Sequence, residues 1–155
     1  MRPPWQADLA SSERVLFVCS GNMIRSAYAE LWARHRGCPR PVLSVGTTYF
    51  NDALHPRTAA ALLERGVDEA WVRSFRPTHL SRLGASELAG ACAFGMTEEH
   101  LRDLAVHPER PASAHLLSAL DGGPRELADP LFHGGWRAAF ARIEHCVDEL
   151  LGALE

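Results

Sequence analysis

Short runs of consecutive apolar residues alternate with longer segments of helical periodicity, and this alternation constrains the fold more than any other feature. The run at residues 15–18 is apolar at every position, which is typical of a strand buried on both faces of a parallel sheet. Further strands are predicted at residues 42–45, 91–96 and 115–120. Helices are predicted at residues 28–35, 56–66, 80–88, 98–105 and 136–154. Strands that alternate with helices predict an α/β fold with a central four-stranded parallel sheet flanked by helices.

The composition fits a soluble globular domain and excludes several other classes of protein. The 155 residues are 46% hydrophobic, and 16 basic residues against 19 acidic ones give a net charge of −3. The sequence has no apolar stretch of about 20 residues, the length that a membrane-spanning helix needs. A slightly acidic chain is also a poor candidate for binding nucleic acid or an anionic membrane surface. Because every basic residue is arginine, chemistry that requires a lysine is excluded.

The chain is predicted to form one domain that acts in a reducing compartment. Residues 1–13 lack periodicity, so we expect a flexible N-terminal leader there and a single domain at residues 14–155. Four cysteines are present, at positions 19, 38, 92 and 146, and none form a C-x-x-C pair. The N-terminus has no apolar run of the kind found in secretory signals. We therefore expect a cytoplasmic protein with free thiols. The histidines show no spacing typical of metal ligands.

The turn after the first predicted strand combines a candidate nucleophile with a candidate anion site. Residues 19–26 read C-S-G-N-M-I-R-S and lead into a helix. Backbone N–H groups and the helix dipole favour anions there, and Gly21 and Asn22 are best suited to the positive φ angles that turn N–H groups inward. Arg25 would add a planar pair of donors for phosphate oxygens. The same environment favours the thiolate form of Cys19; the alternative is a small buried hydrophobic residue.

A carboxylic acid for proton transfer is predicted between the fourth strand and the last helix. Asp129 is followed by Pro130 in a loop from which its side chain can face the first loop. Departure of an oxygen leaving group from phosphorus needs a proton, which a carboxylic acid supplies. The alternative interpretation is an ordinary Asp–Pro turn at the start of a helix.

The order of these motifs resembles the low-molecular-weight protein tyrosine phosphatase family. Residues 15–30 read V-L-F-V-C-S-G-N-M-I-R-S-A-Y-A-E, which is similar to the signature of that family. Further landmarks follow in the same order at residues 44–47, 55–57, 96–101 and 128–130. The resemblance extends over residues 14–154. It implies a three-layer α/β sandwich, Rossmann-like and of the phosphotyrosine protein phosphatase I type.

The resemblance also implies a phosphatase that works in two steps without a metal or another cofactor. Cys19 would attack phosphorus to form a phosphocysteine, while Asp129 would protonate the leaving group and then activate water. Arg25 and the backbone amides of the loop would bind the phosphoryl oxygens. The loop positions implied in substrate binding are Ser20, Gly21, Asn22, Met23 and Ile24. Ser26 would hydrogen-bond to the sulfur, and Asn22 would hold the shape of the loop.

Two loop positions depart from the family pattern. Many members carry a second cysteine where this chain has Ile24. We therefore expect peroxide to inactivate Cys19 without rescue by a disulfide within the loop. Phosphoarginine-selective relatives have a threonine where this chain has Met23, which disfavours that branch of the family.

The mouth of the predicted site also departs from the pattern. The family commonly has a tyrosine just after the Asp–Pro pair, whereas this chain has Leu131 and Phe132. An apolar wall for an aryl group would then come from Phe132, with Tyr49 or Phe50 opposite. The substrate is open between a phosphotyrosyl protein and a small-molecule phosphate ester.

Two other functions are disfavoured by the residues present. An arsenate reductase on this scaffold would need a closely spaced cysteine pair, and Cys92 has no such neighbour. A non-catalytic phospho-ligand binder would not need all four of the residues implied in catalysis, Cys19, Arg25, Ser26 and Asp129. The sequence gives no indication of the oligomeric state.

Overall fold

The computed structural model describes residues 2–155 and has a central sheet of four parallel strands. The strands are β1 (Arg14–Cys19), β2 (Val42–Gly46), β3 (Ala91–Gly95) and β4 (Ser113–Leu116). Their order in the sheet is β2-β1-β3-β4. Val15 of β1 pairs in parallel with Val42 on one side and with Cys92 on the other. The predicted α/β fold with a four-stranded parallel sheet is confirmed.

Helices cover both faces of the sheet and produce three layers. They are α1 (Pro4–Ser11), α2 (Arg25–His35), α3 (Pro56–Glu64), α4 (Glu69–Ser74), α5 (Ala85–Leu88), α6 (Glu98–Val106), α7 (Pro130–His133) and α8 (Trp136–Ala153). Val15 and Phe17 of β1 face a larger apolar cluster shared with α2 and α8. Leu16 and Val18 belong to a smaller cluster shared with α5 and α6. All four side chains are fully buried, as an unbroken apolar run predicts.

The strand order positions one loop for ligand binding. From β1 the chain crosses through α2 to β2 on one side of the strand, and later enters β3 on its other side. In parallel sheets, ligands bind at the carboxyl ends of the strands beside such a reversal. The loop at residues 20–24, between β1 and α2, lies there. We call it the phosphate loop below, after the phosphate-binding role that the sequence predicts for it.

The N-terminal segment forms a packed helix, which corrects the flexible leader predicted for residues 1–13. Helix α1 buries Trp5 and Leu9 in the larger apolar cluster. The Arg40 side chain donates hydrogen bonds to backbone carbonyl oxygens at the end of this helix. Two buried apolar side chains in eight residues are too few to produce a recognisable periodicity, and Arg40 acts from a distant part of the sequence. Met1 lies outside the described residues.

Three further elements differ from the sequence prediction. The helix predicted at residues 80–88 is a 3₁₀ turn, Leu80–Arg82, followed by the single turn of α5, with Gly84 between them. The fourth strand begins earlier and is shorter than the predicted 115–120, because Leu117–Leu120 forms a 3₁₀ turn. As an edge strand, β4 buries only Leu116, so it lacks the apolar run that marks β1. Helix α4 was not predicted at all.

Candidate active site

The phosphate loop curls between the end of β1 and the start of α2. Asn22 has a φ of 55°, and it is the one non-glycine residue between positions 2 and 155 with a positive φ. The positive φ predicted for Gly21 is wrong, since that angle is not in the positive range. Gly21 instead permits a close approach: a Cβ there would lie 2.7 Å from Nδ2 of Asn51, which donates a hydrogen bond of 2.9 Å to the Gly21 carbonyl oxygen.

The side chain of Asn22 holds the phosphate loop from behind. Its Nδ2 donates to Oγ of Ser26 and to Oγ of Ser44, both at 2.8 Å, and its Oδ1 accepts the backbone N–H of Thr78 at 2.8 Å. The Ser44 hydroxyl donates to Oε1 of Glu30 at 2.7 Å, and burial raises the pKa of that carboxyl. Asn22 is buried, so removal of its amide would leave several buried polar groups without partners.

The thiol of Cys19 lies at the base of the phosphate loop. Its Sγ is 2.9 Å from Oγ of Ser26 and accepts the backbone N–H of Asn22 at 3.3 Å. Oγ of Ser26 accepts a hydrogen bond from Asn22, and its own proton has two acceptors in reach, the sulfur at 2.9 Å and the carbonyl oxygen of Val45 at 3.4 Å. The structure therefore places the hydroxyl of Ser26 at the sulfur of Cys19, as the resemblance implies.

The guanidinium of Arg25 is almost completely buried beside the thiol. Its Nη1 donates to the carbonyl oxygen of Leu127 at 2.8 Å, and its Nη2 lies 3.4 Å from Oδ2 of Asp129. Among residues 2–155, nothing accepts a hydrogen bond from its Nε, which is buried as well. A buried donor without a partner is costly, and an anion seated in the phosphate loop would satisfy it.

The carboxyl group of Asp129 has two different environments. Its Oδ1 accepts the backbone N–H of Leu131 at 3.0 Å and so caps α7, whereas its Oδ2 faces Arg25. The side chain is 19% exposed, so it is open to solvent. The two interpretations of the Asp–Pro pair are therefore compatible, because Oδ1 caps the helix while Oδ2 lies beside Arg25.

Eight of the eleven predicted site residues meet in one cleft. It is lined by Cys19, Gly21, Met23, Ile24, Arg25, Tyr49, Asp129, Leu131 and Phe132. Tyr49 and Phe132 stand at its mouth with 55% and 71% of their surfaces exposed, where the sequence predicted an apolar wall. Phe50 lies outside this cleft and stacks on His79, with ring centroids 4.0 Å apart.

Three of the predicted residues support the cleft without lining it. The side chains of Asn22 and Ser26 lie behind the phosphate loop, and Oγ of Ser20 contacts Nε2 of His100 at 3.0 Å. These three side chains contact other parts of the protein and do not face the cleft.

His100 is a supporting residue that the sequence interpretation did not assign. Its Nδ1 accepts the backbone N–H of Thr97 at 3.1 Å. The neutral ring therefore carries its proton on Nε2 and donates to Oγ of Ser20. Burial, assisted by the charge of Arg25, lowers the pKa of His100 to about 3. The only sequence signal for this role was the position of His100, three residues after the helix cap at Thr97. That position does not predict the contact with Ser20, because the two residues are 80 positions apart in the chain.

Gly46 is a second supporting residue without an assigned role in the sequence interpretation. A Cβ at this position would lie 2.8 Å from the carbonyl oxygen of Ser20 and 2.9 Å from the carbonyl carbon of Gly21. The next residue, Thr47, donates its backbone N–H to the carbonyl oxygen of Cys19 at 2.9 Å. The end of β2 therefore packs directly on the backbone of the phosphate loop.

The remaining cysteines differ from Cys19 in their surroundings. Burial raises the pKa of the Cys92 thiol, and it raises the pKa of Cys146 to about 12, so both are poor nucleophiles. All four cysteines are free thiols.

Across positions 2–155, no cluster of three or more His, Cys, Asp or Glu side chains is arranged to hold a metal ion. In the same range, no helix combines the length and the apolarity needed to cross a bilayer.

Solved structures with the same fold include bacterial phosphatases. YfkJ from Bacillus subtilis superposes with a TM-score of 0.78 at 20% identity, covering 93% of this chain and 95% of that one. The tyrosine phosphatase Wzb from Escherichia coli K30 gives 0.74 at 16% identity, with coverages of 93% and 99%. The YwlE arginine phosphatase from Geobacillus stearothermophilus gives 0.74 at 26% identity and covers 92% of each chain.

The sequence comparisons agree with the fold. The family model for low molecular weight phosphotyrosine protein phosphatases matches residues 14–155. A low molecular weight protein-tyrosine-phosphatase of Streptomyces coelicolor is 32% identical over 157 residues, covering 91% of this chain and 93% of that protein. The chain belongs to the low molecular weight phosphotyrosine protein phosphatase family, a class of cysteine-dependent phosphatases.

Proposed function

We propose that the enzyme hydrolyses phosphate monoesters through a phosphocysteine intermediate. The observation that carries this proposal is that three complementary groups line one cleft at the end of β1: the thiol of Cys19, the guanidinium of Arg25 and the carboxyl of Asp129. The buried Nε–H of Arg25 lacks a partner within residues 2–155, which supports an anion as the occupant. We place the reaction in the cytoplasm, where a free thiol persists.

In the first step, the thiolate of Cys19 attacks phosphorus. The S–P bond forms while the P–O bond to the leaving group breaks, and Asp129 in its acid form gives its proton to the departing oxygen. Arg25 and the backbone N–H groups of residues 20–25 hold the other phosphoryl oxygens. Positioned donors of this kind supply most of the stabilisation in phosphoryl transfer.

In the second step, water attacks the phosphocysteine. The carboxylate of Asp129 accepts a proton from the water as the new P–O bond forms. The S–P bond breaks, inorganic phosphate leaves, and the thiolate of Cys19 is restored. The hydroxyl of Ser26, 2.9 Å from the sulfur, and the N–H of Asn22 stabilise the charge that returns to it.

We propose that the substrate is a phosphotyrosyl protein. Tyr49 and Phe132 present exposed aromatic surface at the mouth of the cleft, and aromatic rings gain from offset or edge-to-face contact with a phenyl group. Met23 lines the cleft at the position where phosphoarginine-selective relatives have threonine, which disfavours that substrate. A small alkyl phosphate would leave the aromatic mouth unused.

The substrate class can be tested with peptides of one sequence that carry phosphotyrosine, phosphoserine or phosphoarginine. We expect kcat/KM for the phosphotyrosine peptide to exceed both others by about 100-fold, which is about 2.7 kcal/mol of transition-state binding. Phe132→Ala should reduce this advantage about tenfold, because the aromatic contact is lost. Val106→Ala is the matched control, since Val106 is an exposed apolar residue on α6 that does not line the cleft.

Two results would contradict the proposed substrate. One is a phosphoserine or phosphoarginine peptide that is hydrolysed as fast as the phosphotyrosine peptide. The other is a small-molecule alkyl phosphate that exceeds all three peptides in kcat/KM. That result would favour a small-molecule phosphate ester as the substrate of the same cleft.

A further inference from the structure

A second groove adjoins the catalytic cleft on the far side of Tyr49. We propose that this groove binds the carboxylate of an aspartate or glutamate that lies close to the phosphotyrosine in the substrate protein. The inference rests on the proposed function, because the phosphoryl group must occupy the phosphate loop at the same time. Tyr49 lines both cavities, so a bound peptide that leaves the cleft across this residue reaches the groove.

The charge of the groove is positive. Arg76 and Arg82 line it and are exposed, and neither forms an ion pair within the described part of the chain. Asp52 is the acidic residue on the lining. Two guanidinium groups against one carboxylate leave one positive charge, which matches a single carboxylate on the substrate. Guanidinium groups also suit the planar, two-oxygen geometry of a carboxylate.

Two donors of the groove, Arg76 and His79, are held in place before a ligand binds. Nη1 of Arg76 donates to the carbonyl oxygens of Arg73 and Phe75 at 2.9 and 2.8 Å, which leaves the other guanidinium N–H groups available. Nδ1 of His79 accepts the backbone N–H of Ser81 at 3.1 Å, so the neutral ring carries a donor N–H on Nε2. A preformed set of donors reduces the entropy lost on binding.

Both walls of the groove are attached to the phosphate loop. On one side, the backbone N–H of Tyr49 donates to the carbonyl oxygen of Ser20 at 3.0 Å. On the other side, the backbone N–H of Thr78 donates to Oδ1 of Asn22 at 2.8 Å. The separation between the phosphate position and the basic groove is therefore fixed by the fold. A fixed separation selects acidic residues at particular distances along an extended peptide, which advances about 3.3 Å per residue.

The test uses a panel of phosphotyrosine peptides with alanine at the other positions. A single glutamate, or glutamine in the matched peptide, is placed at each of the three positions on either side of the phosphotyrosine. We expect glutamate to raise kcat/KM about five-fold over glutamine, about 1 kcal/mol, at one or two of these positions. The preference should decrease in 0.5 M NaCl, because exposed charges are screened.

The variants assign the preference to the groove. Arg82→Gln should reduce the glutamate-to-glutamine ratio to about one or two. Arg102→Gln is the matched control, since Arg102 is an exposed arginine on α6 that does not line the groove, and it should keep the wild-type ratio. Arg76→Gln should act like Arg82→Gln, but Arg76 also contacts carbonyl groups at the end of α4. Arg82 therefore provides the decisive variant.

The possible failures are distinguishable. Ratios near one at all positions in the wild-type enzyme would overturn the acidic groove while leaving the phosphatase proposal intact. A preference that persists in Arg82→Gln and Arg76→Gln would overturn the assignment to this groove. Failure to hydrolyse any phosphotyrosine peptide would instead overturn the proposed substrate on which the inference rests.

Discussion

At the scale of single residues, the phosphate loop depends on backbone contacts that leave no space for an additional atom. Gly46 is the clearest example, because a methyl group there would meet the carbonyl groups of Ser20 and Gly21 at less than 3 Å. These are backbone atoms of the loop, so the loop itself would have to move. The N–H groups that we propose to hold the phosphoryl oxygens would move with it.

We expect Gly46→Ala to lower kcat/KM for an aryl phosphate by about 100-fold, the cost of misplacing catalytic groups by about 1 Å. Inhibition by inorganic phosphate should weaken in parallel, since the same N–H groups bind it. Gly152→Ala is the matched control: Gly152 lies in α8 and a Cβ there meets nothing within 4 Å. It should keep the wild-type kcat/KM and raise the free energy of unfolding by about 0.5–1 kcal/mol. Wild-type activity in Gly46→Ala would show that the contact does not shape the loop.

At the scale of elements, the first turn of α6 connects the stability of the fold to pH. The native state keeps His100 neutral down to about pH 3, because the ring is buried and lies near Arg25. The unfolded chain protonates the same residue near its ordinary pKa of 6.5. The unfolded state therefore binds more protons between these two values. The stability that this residue contributes is complete above pH 6.5 and decreases as the pH falls toward 3.

We expect His100 alone to lower the free energy of unfolding by about 2 kcal/mol between pH 7 and pH 5. Urea titrations of the wild type, His100→Gln and His145→Gln at these two pH values measure the effect. His100→Gln should lose that part of the pH dependence. His145→Gln should retain it, because His145 is exposed on α8. An identical pH dependence in all three proteins would contradict a neutral His100 ring in the native state.

At the scale of the whole molecule, the sequence predicts those parts of the fold that local patterns determine. The apolar run at residues 15–18 identified β1, and the loop that follows it placed Cys19 and Arg25 at the carboxyl end of a central strand. The apolar stripe along α8 and the glycines that follow α2 and α3 are local patterns as well, so these helices were also predicted from the sequence. Asp129 was predicted to face the first loop from its place between the fourth strand and the last helix, and it lines the same cleft as Cys19.

The remaining features depend on contacts between distant parts of the chain. Helix α1 is stable because Trp5 and Leu9 enter the core and Arg40 holds its end. The support that His100 gives to Ser20 joins residues 80 positions apart. The basic groove combines the segment after β2 with the segment after α4. Neither segment has a distinctive pattern by itself, so only the folded chain reveals the groove.

Trapping of the phosphocysteine tests the proposed mechanism most directly. Asp129→Asn should form the intermediate with p-nitrophenyl phosphate, whose leaving group needs little protonation, but should hydrolyse it slowly because the base for water is missing. Asp103→Asn, an acid-to-amide change on α6 away from the cleft, should turn over like the wild type. After an acid quench, phosphorus NMR and peptide mass analysis should find a phosphoryl group on sulfur within residues 15–25, and Cys19→Ala should carry none. Two results would contradict a phosphocysteine at position 19. One is turnover by Cys19→Ala. The other is a burst of nitrophenol from Asp129→Asn with no S-linked phosphorus in the quenched enzyme.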